Sequence, residues 1–233
     1  VSGFARAFGL GGVSGLVALA GCASHDGGDP FVAAFKTIRP CVVLFTMQIP
    51  SDDPKKKGQW DDAYGSGILI ASGSWGSQVL TVEHVIRDAR NLRVTLPDKK
   101  VVATRVIARD ANKDLALTEI ATPSLPVATL GSAKDVEPGM PIGVAGFPIP
   151  DAFQDEGLGV ATSVYAGRVS SVREDSLELD LPVIPGESGG PVFDGRTGVV
   201  IALAESRFED EKAIGFGIPI DDAIAFLKNR EHT

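Results

Sequence analysis

The chain has 233 residues, of which 44% are hydrophobic and 22% charged, a balance that fits one large domain or two small ones and excludes general disorder. Its formal net charge is −8 and no basic stripe is present, so a nucleic-acid partner is not expected. Two cysteines exclude a disulfide-rich scaffold, and no uninterrupted apolar run reaches the length of a membrane-spanning helix.

Residues 1–21 read as an address rather than part of a fold. Arg6 is the one formally charged side chain before Asp26, and an apolar, glycine-rich stretch leads to Leu19-Ala20-Gly21-Cys22. A basic start, a short apolar region and small residues before a cleavage point are the parts of a secretory signal. With cysteine directly after the small pair, the tetrad resembles the lipobox of bacterial lipoproteins. That resemblance implies cleavage before Cys22, lipidation of its thiol and a membrane anchor in the bacterial cell envelope, on the outer membrane or the cell surface. Residues 22–34 are then the lipidated cysteine and a flexible tether, because 23–30 (ASHDGGDP) are small and polar. Cys41 sits in an apolar run and reads as a buried small hydrophobe.

From residue 35 the pattern is short apolar runs bounded by turn formers. In chain order the expected strands are 41–47, 67–71, 78–82, 92–96, 101–108 and 115–120, then 141–147, 162–172, 176–181, 190–193, 199–204 and 213–218. A polar loop at 51–64 joins the first two, and a short turn of helix is expected at 85–89. The proline-rich stretch 122–139 divides the strands into two equal sets, as a linker between two β units would. A helix follows Asp221 and Asp222, whose charges favour its N-terminus. Regular short strands of this kind indicate an all-β barrel or sandwich fold.

The chemistry concentrates in Pro185-Gly186-Glu187-Ser188-Gly189-Gly190-Pro191. A serine between glycines on a tight turn exposes its hydroxyl, and the N–H groups of Gly186 and Ser188 can converge as an oxyanion hole. A serine nucleophile needs a base. Of the three histidines, His25 lies in the tether and His232 is penultimate, which leaves His84 at the end of an apolar strand. The third member is an acid that fixes the imidazole tautomer. Asp114, directly before the run Leu115-Ala116-Leu117, is the preferred candidate and Asp110 the rival. No HExxH or cysteine–histidine cluster is present, so neither a metal nor another cofactor is expected.

The order His84, Asp114, Ser188 is that of chymotrypsin. Together with Tyr64–Ile70 (YGSGILI), Thr81–Val85 (TVEHV), Asp110–Leu117 (DANKDLAL), Pro185–Pro191 and Ala213–Pro219 (AIGFGIP), it makes the chain resemble trypsin-like serine proteases of the HtrA/Deg type over about residues 35–227. The resemblance implies two six-stranded antiparallel β-barrels, the first at about 35–121 and the second at about 140–220, with a short C-terminal helix and the protease domain ending near 230. It also implies a serine endopeptidase that cuts polypeptide substrates, unfolded or damaged envelope proteins among them, through an acyl-enzyme, and that assembles as a homotrimer. Two other readings fit the same residues: a catalytically dead, peptide-binding relative and an esterase using the same triad.

Three departures from the family pattern stand out. Glu187 replaces the family's asparagine, with a side chain that can point away while its backbone serves. Glu83 adds negative charge beside His84. Few residues follow Pro219, so no PDZ domain of the family's usual kind is expected. Trypsin-like pockets for Lys or Arg carry an acid six residues before the serine. Here that position is Pro182, followed by Val183 and Ile184. With Ala204 these residues are the expected lining of an apolar substrate pocket, which cannot compensate a buried cation.

Overall fold

The computed structural model describes residues 28–205 and 214–230. The expected signal, Cys22, tether residues 23–27, which include His25, and His232 lie outside the described residues.

Helix α1 (Pro30–Ile38) opens the described chain. Asp29 caps it by accepting the Phe31 N–H at 2.9 Å, and Pro30 stands in the first turn, where a missing N–H costs nothing. The last five residues of the expected tether, 30–34, are therefore helical. The helix buries Ala34 and Ile38, and Phe31 stacks on Phe193 with ring centroids 5.8 Å apart. One turn of 3-10 helix (Arg39–Cys41) then delivers the chain to the sheet.

Strands β1 (Val42–Pro50), β2 (Trp60–Gly73), β3 (Gly76–Thr81), β4 (Arg90–Thr95), β5 (Val101–Asp110) and β6 (Leu115–Ile120) close into one barrel, in the order β1-β2-β3-β6-β5-β4. Strands β7 (Pro141–Gly146), β8 (Ser163–Val172), β9 (Leu177–Leu179), β10 (Pro191–Asp194), β11 (Val200–Glu205) and β12 (Gly215–Pro219) close into a second, in the order β10-β11-β12-β9-β8-β7. Every pairing between neighbouring strands of the barrels is antiparallel. Closure leaves no free sheet edge.

The expected loop at 51–64 is shorter than its polar composition indicates. β2 already begins at Trp60, and Asp61 and Asp62 pair with Ile49 and Gln48 of β1. Trp60 is held there by the Arg90 guanidinium, 3.9 Å above its ring. Phe45, Ile68, Leu69, Leu80, Leu115 and Leu117 fill the first barrel, and the same cluster continues into Phe193, Val200, Leu203 and Ile218 of the second. The barrels thus share an apolar seam, and burying it fixes the cleft between them. Cys41, 2% exposed, is part of this cluster, and burial pushes its thiol up to about 11, as suits an inert core residue.

The connection 122–139 follows the outside of both barrels. The Ala128 N–H donates to the Leu69 carbonyl of the first barrel, and the Gly131 N–H to the Val200 carbonyl of the second. Helix α4 (Ile220–Arg230) follows β12 as expected. Its Asp221 accepts the Ala133 N–H at 2.6 Å and the Ser132 hydroxyl at 3.1 Å, which ties the helix start to the connection. Among the described residues no helix is long and apolar enough to cross a membrane.

Candidate active site

Helix α2 (Glu83–Ile86) carries His84 directly after β3. It starts two residues earlier than the sequence pattern indicates, because Asp114 anchors its first turn. The Asp114 carbonyl accepts the Glu83 N–H at 3.1 Å, and Asp114 Oδ1 accepts the His84 N–H at 2.7 Å. Asp114 Oδ2 lies 2.6 Å from His84 Nδ1. A carboxylate only accepts, so Nδ1 carries the proton and Nε2 keeps a free lone pair. Asp114 reaches all three groups because its φ is +51°, a left-handed conformation that aspartate tolerates at the β5–β6 turn.

Asp110, the rival acid, is occupied elsewhere. Its Oδ1 accepts the N–H groups of Asn112 and Lys113 at 3.0 and 3.1 Å and so shapes the same turn. Glu83 adds no free charge beside the imidazole. It is 4% exposed, and its Oε2 accepts the Arg87 Nε–H at 2.8 Å and lies 2.7 Å from Arg87 Nη2.

The second barrel brings the serine loop, residues 184–190, to the same cleft. Five consecutive carbonyls of this loop are held inward. Ile184 accepts from the Glu187 N–H, Pro185 from the Ile149 N–H, Glu187 from the Gly190 N–H and Ser188 from the Ser66 N–H, at 2.8–2.9 Å. Gly186 accepts from the Ser66 hydroxyl at 2.7 Å. The N–H groups of Gly186 and Ser188 have no acceptor among the described residues. Two unpaired donors two residues apart in the chain, with the intervening carbonyls turned inward, are what an oxyanion hole requires.

Ser66 of β2 was not singled out by sequence reasoning, although it stands in the GSG motif. It locks the loop to the first barrel through both its N–H and its hydroxyl, which also accepts the Phe147 N–H at 3.0 Å. Two glycines permit this docking. Gly186 has φ +96°, and a Cβ there would come within 2.3 Å of the Phe147 carbonyl oxygen. Gly189 has φ +84°, and a Cβ there would come within 2.2 Å of Thr81 Oγ1. The residue after Ser188 is thus packed against the end of β3, three positions before His84. Ser188 is 7% exposed, and its hydroxyl makes no hydrogen bond to His84 in this structure. Contacts of that kind tighten when substrate binds.

Of the expected pocket lining, Val183 and Ala204 lie in the second barrel's apolar cluster, while Pro182 and Ile184 are half-buried. The Ala204 main chain also supports the serine loop, accepting the Gly189 N–H at 2.9 Å and donating to Gly190 at 2.8 Å. Glu187 does not point away. It is fully buried, its Oε2 accepts the Ile184 N–H at 2.8 Å, and its Oε1 has no hydrogen-bond partner among the described residues.

A family model described as a trypsin-like peptidase domain matches residues 65–203, a span that holds His84, Asp114 and Ser188. The chain belongs to the trypsin-like peptidase family. It is 30% identical over 192 residues to HhoB of Synechocystis sp., named as a serine protease, covering 77% of this chain and 42% of that protein. It is 30% identical over 186 residues to a DegP-like protein of Pseudomonas fluorescens, named as a periplasmic serine endoprotease, covering 75% of this chain and 36% of that one. It thus spans less than half the length of these two relatives. The fold matches the solved HtrA-type protease AlgW with a TM-score of 0.70 at 23% identity, over 85% of this chain and 62% of that one.

Proposed function

We propose that this member of the trypsin-like peptidase family is a serine endopeptidase. Ser188 attacks the scissile carbonyl, and His84 Nε2 takes its proton and later returns it to the leaving amine. Asp114 holds the imidazole in the required tautomer, and the N–H groups of Gly186 and Ser188 bind the oxyanion of the tetrahedral intermediate. The observation that carries this reading is the pairing of Asp114 Oδ2 with His84 Nδ1 at 2.6 Å, across a cleft from a serine loop with two unpaired donors. Hydrolysis of casein by the purified protein tests it. Cleavage is expected, and a folded protein that cleaves a short acyl ester but no casein would favour the esterase reading instead.

Substrate selection follows from the absence of an acid at 182–184. The wall formed by Pro182, Val183 and Ile184 offers a substrate cation no partner, and burying an unpaired cation there is costly. Cleavage is therefore expected after small or medium apolar residues such as Val, Ala or Leu. Mass spectrometry of casein fragments checks this, and a majority of cuts after Lys or Arg would contradict it.

The envelope placement of the DegP-like relative and the signal-like start support a site outside the cytoplasm, where unfolded or damaged envelope proteins are the substrates. Lipidation of Cys22 is the anchoring step of this reading. Each buried CH₂ contributes about 0.8 kcal/mol, and lasting attachment needs more than one acyl chain, which a diacylglycerol supplies. Cys22→Ser is expected to leave an uncleaved or soluble protein that carries no lipid, without changing the activity of the isolated domain. Wild-type protein found wholly soluble, with no lipid mass on its N-terminal peptide, would remove the anchor.

A further inference from the structure

Glu187 is next to the nucleophile, yet the triad chemistry gives it no work. Its main chain closes the turn 184–187, donating N–H to the Ile184 carbonyl at 2.9 Å and accepting the Gly190 N–H at 2.9 Å. Its side chain closes the same turn from the other side, through Oε2 and the Ile184 N–H. The turn therefore has two links between residues 184 and 187, and Gly186 lies inside it. The carboxyl is fully buried, with Oε1 unpartnered.

The described surroundings offer no counter-charge. β2 faces Glu187 with Ser66 and β7 with Gly146, neither of them titratable. From β8 comes Tyr165, whose phenol is raised first by burial and then by the charge of Glu187 itself. No Lys, Arg or His among the described residues contributes to the carboxyl's environment. A neutral acid leaves one unpaired polar atom in that space, whereas a carboxylate leaves an unpaired charge, and the charge costs far more to bury.

We propose that Glu187 is a positioning residue that holds the oxyanion loop closed as a neutral acid, and that its ionisation loosens the turn that presents the Gly186 and Ser188 N–H groups. This rests on the serine-peptidase reading above. Burial raises the carboxyl from 4.5 to about 7, the Ile184 N–H opposing only in part. The acid's folded value lies above its unfolded one, so its hold on the loop is complete below about pH 4.5. That hold weakens as pH rises and levels off above about pH 7. The interval limits the weakening to roughly a few hundredfold.

The test compares wild type with Glu187→Gln, whose amide keeps the oxygen that accepts the Ile184 N–H and cannot ionise. The readout is the rate at which a fluorophosphonate labels Ser188. Dividing the two rates at each pH cancels every pH dependence that the two proteins share. The ratio of wild type to Glu187→Gln is expected to fall at least tenfold between pH 5 and pH 8 and to stay level above. A ratio constant within about twofold would overturn the proposal. So would a folded Glu187→Gln protein that labels at no pH. Wild type that labels at no pH would instead sink the peptidase reading. In either that case or a failure of the Gln variant to fold, wild-type protein carrying ¹³C-labelled glutamate decides the matter. One Glu carboxyl titrating near pH 7 supports the proposal, and all of them titrating in the ordinary range overturn it.

Discussion

Ser188→Ala is expected to lower casein hydrolysis by about a million-fold, to the level left by binding and the oxyanion donors alone. The change removes the nucleophile and little else. Among the described residues the Ser188 hydroxyl makes no hydrogen bond, while the Ser188 carbonyl, which accepts the Ser66 N–H, and the N–H offered to the oxyanion are both retained in alanine. Thermal unfolding should therefore stay close to that of wild type. His84→Ala is expected to cost about as much, because base and nucleophile act as a unit. Residual hydrolysis by Ser188→Ala at a substantial fraction of the wild-type rate, in protein free of contaminating protease, would exclude the assigned role.

Asp114→Asn is expected to cost about ten-thousand-fold in kcat with little change in stability. Oδ1 receives the His84 N–H, so the asparagine must place its carbonyl oxygen there. Its NH₂ then faces His84 Nδ1, 2.6 Å away in the wild-type geometry, and a donor meets the position where the imidazole proton belongs. The imidazole is driven to carry its proton on Nε2, the wrong tautomer for a base. Asp110→Asn keeps an oxygen that accepts the N–H groups of Asn112 and Lys113, so hydrolysis should change by no more than about a few-fold. Steady-state kinetics on one peptide substrate distinguishes the two. A crippled Asp110→Asn beside a mild Asp114→Asn would reverse the assignment of the acid.

Most of the twelve strands among the described residues are legible because they bury short apolar runs between turn formers, whereas β5 and β8 are mostly half-buried and are marked by their Val and Ile content. β2 is the least legible in extent, since Trp60–Tyr64 is half-exposed and polar and is held by pairing with β1 rather than by burial. Helix α1 has a legible start in Asp29-Pro30. The small, polar residues before it hid the fact that Phe31 and Ala34 find partners in the second barrel. Helix α3 (Pro150–Asp155) follows a left-handed Ile149 and buries little, so no periodic signal marks it.

The catalytic candidates were legible from residue type and order, yet their geometry was not. Only the fold shows that Asp114 uses its carbonyl and both carboxylate oxygens on one turn of helix. Only the fold shows that Ser66 ties the serine loop to the opposite barrel. The burial of Glu187 was likewise hidden, because a charged residue in a glycine-rich turn ordinarily faces water. Its direction is set by Gly146 and Ser66, which are distant in sequence and adjacent in space.

The central claim is that Ser188 is a nucleophile activated by the His84–Asp114 pair. Intact-protein and peptide-level mass spectrometry after treatment with a fluorophosphonate tests it most directly. The account predicts one adduct per chain, on the peptide containing Ser188, and its loss in His84→Ala. No adduct on folded wild-type protein between pH 5 and pH 9, or an adduct on another residue, would contradict it.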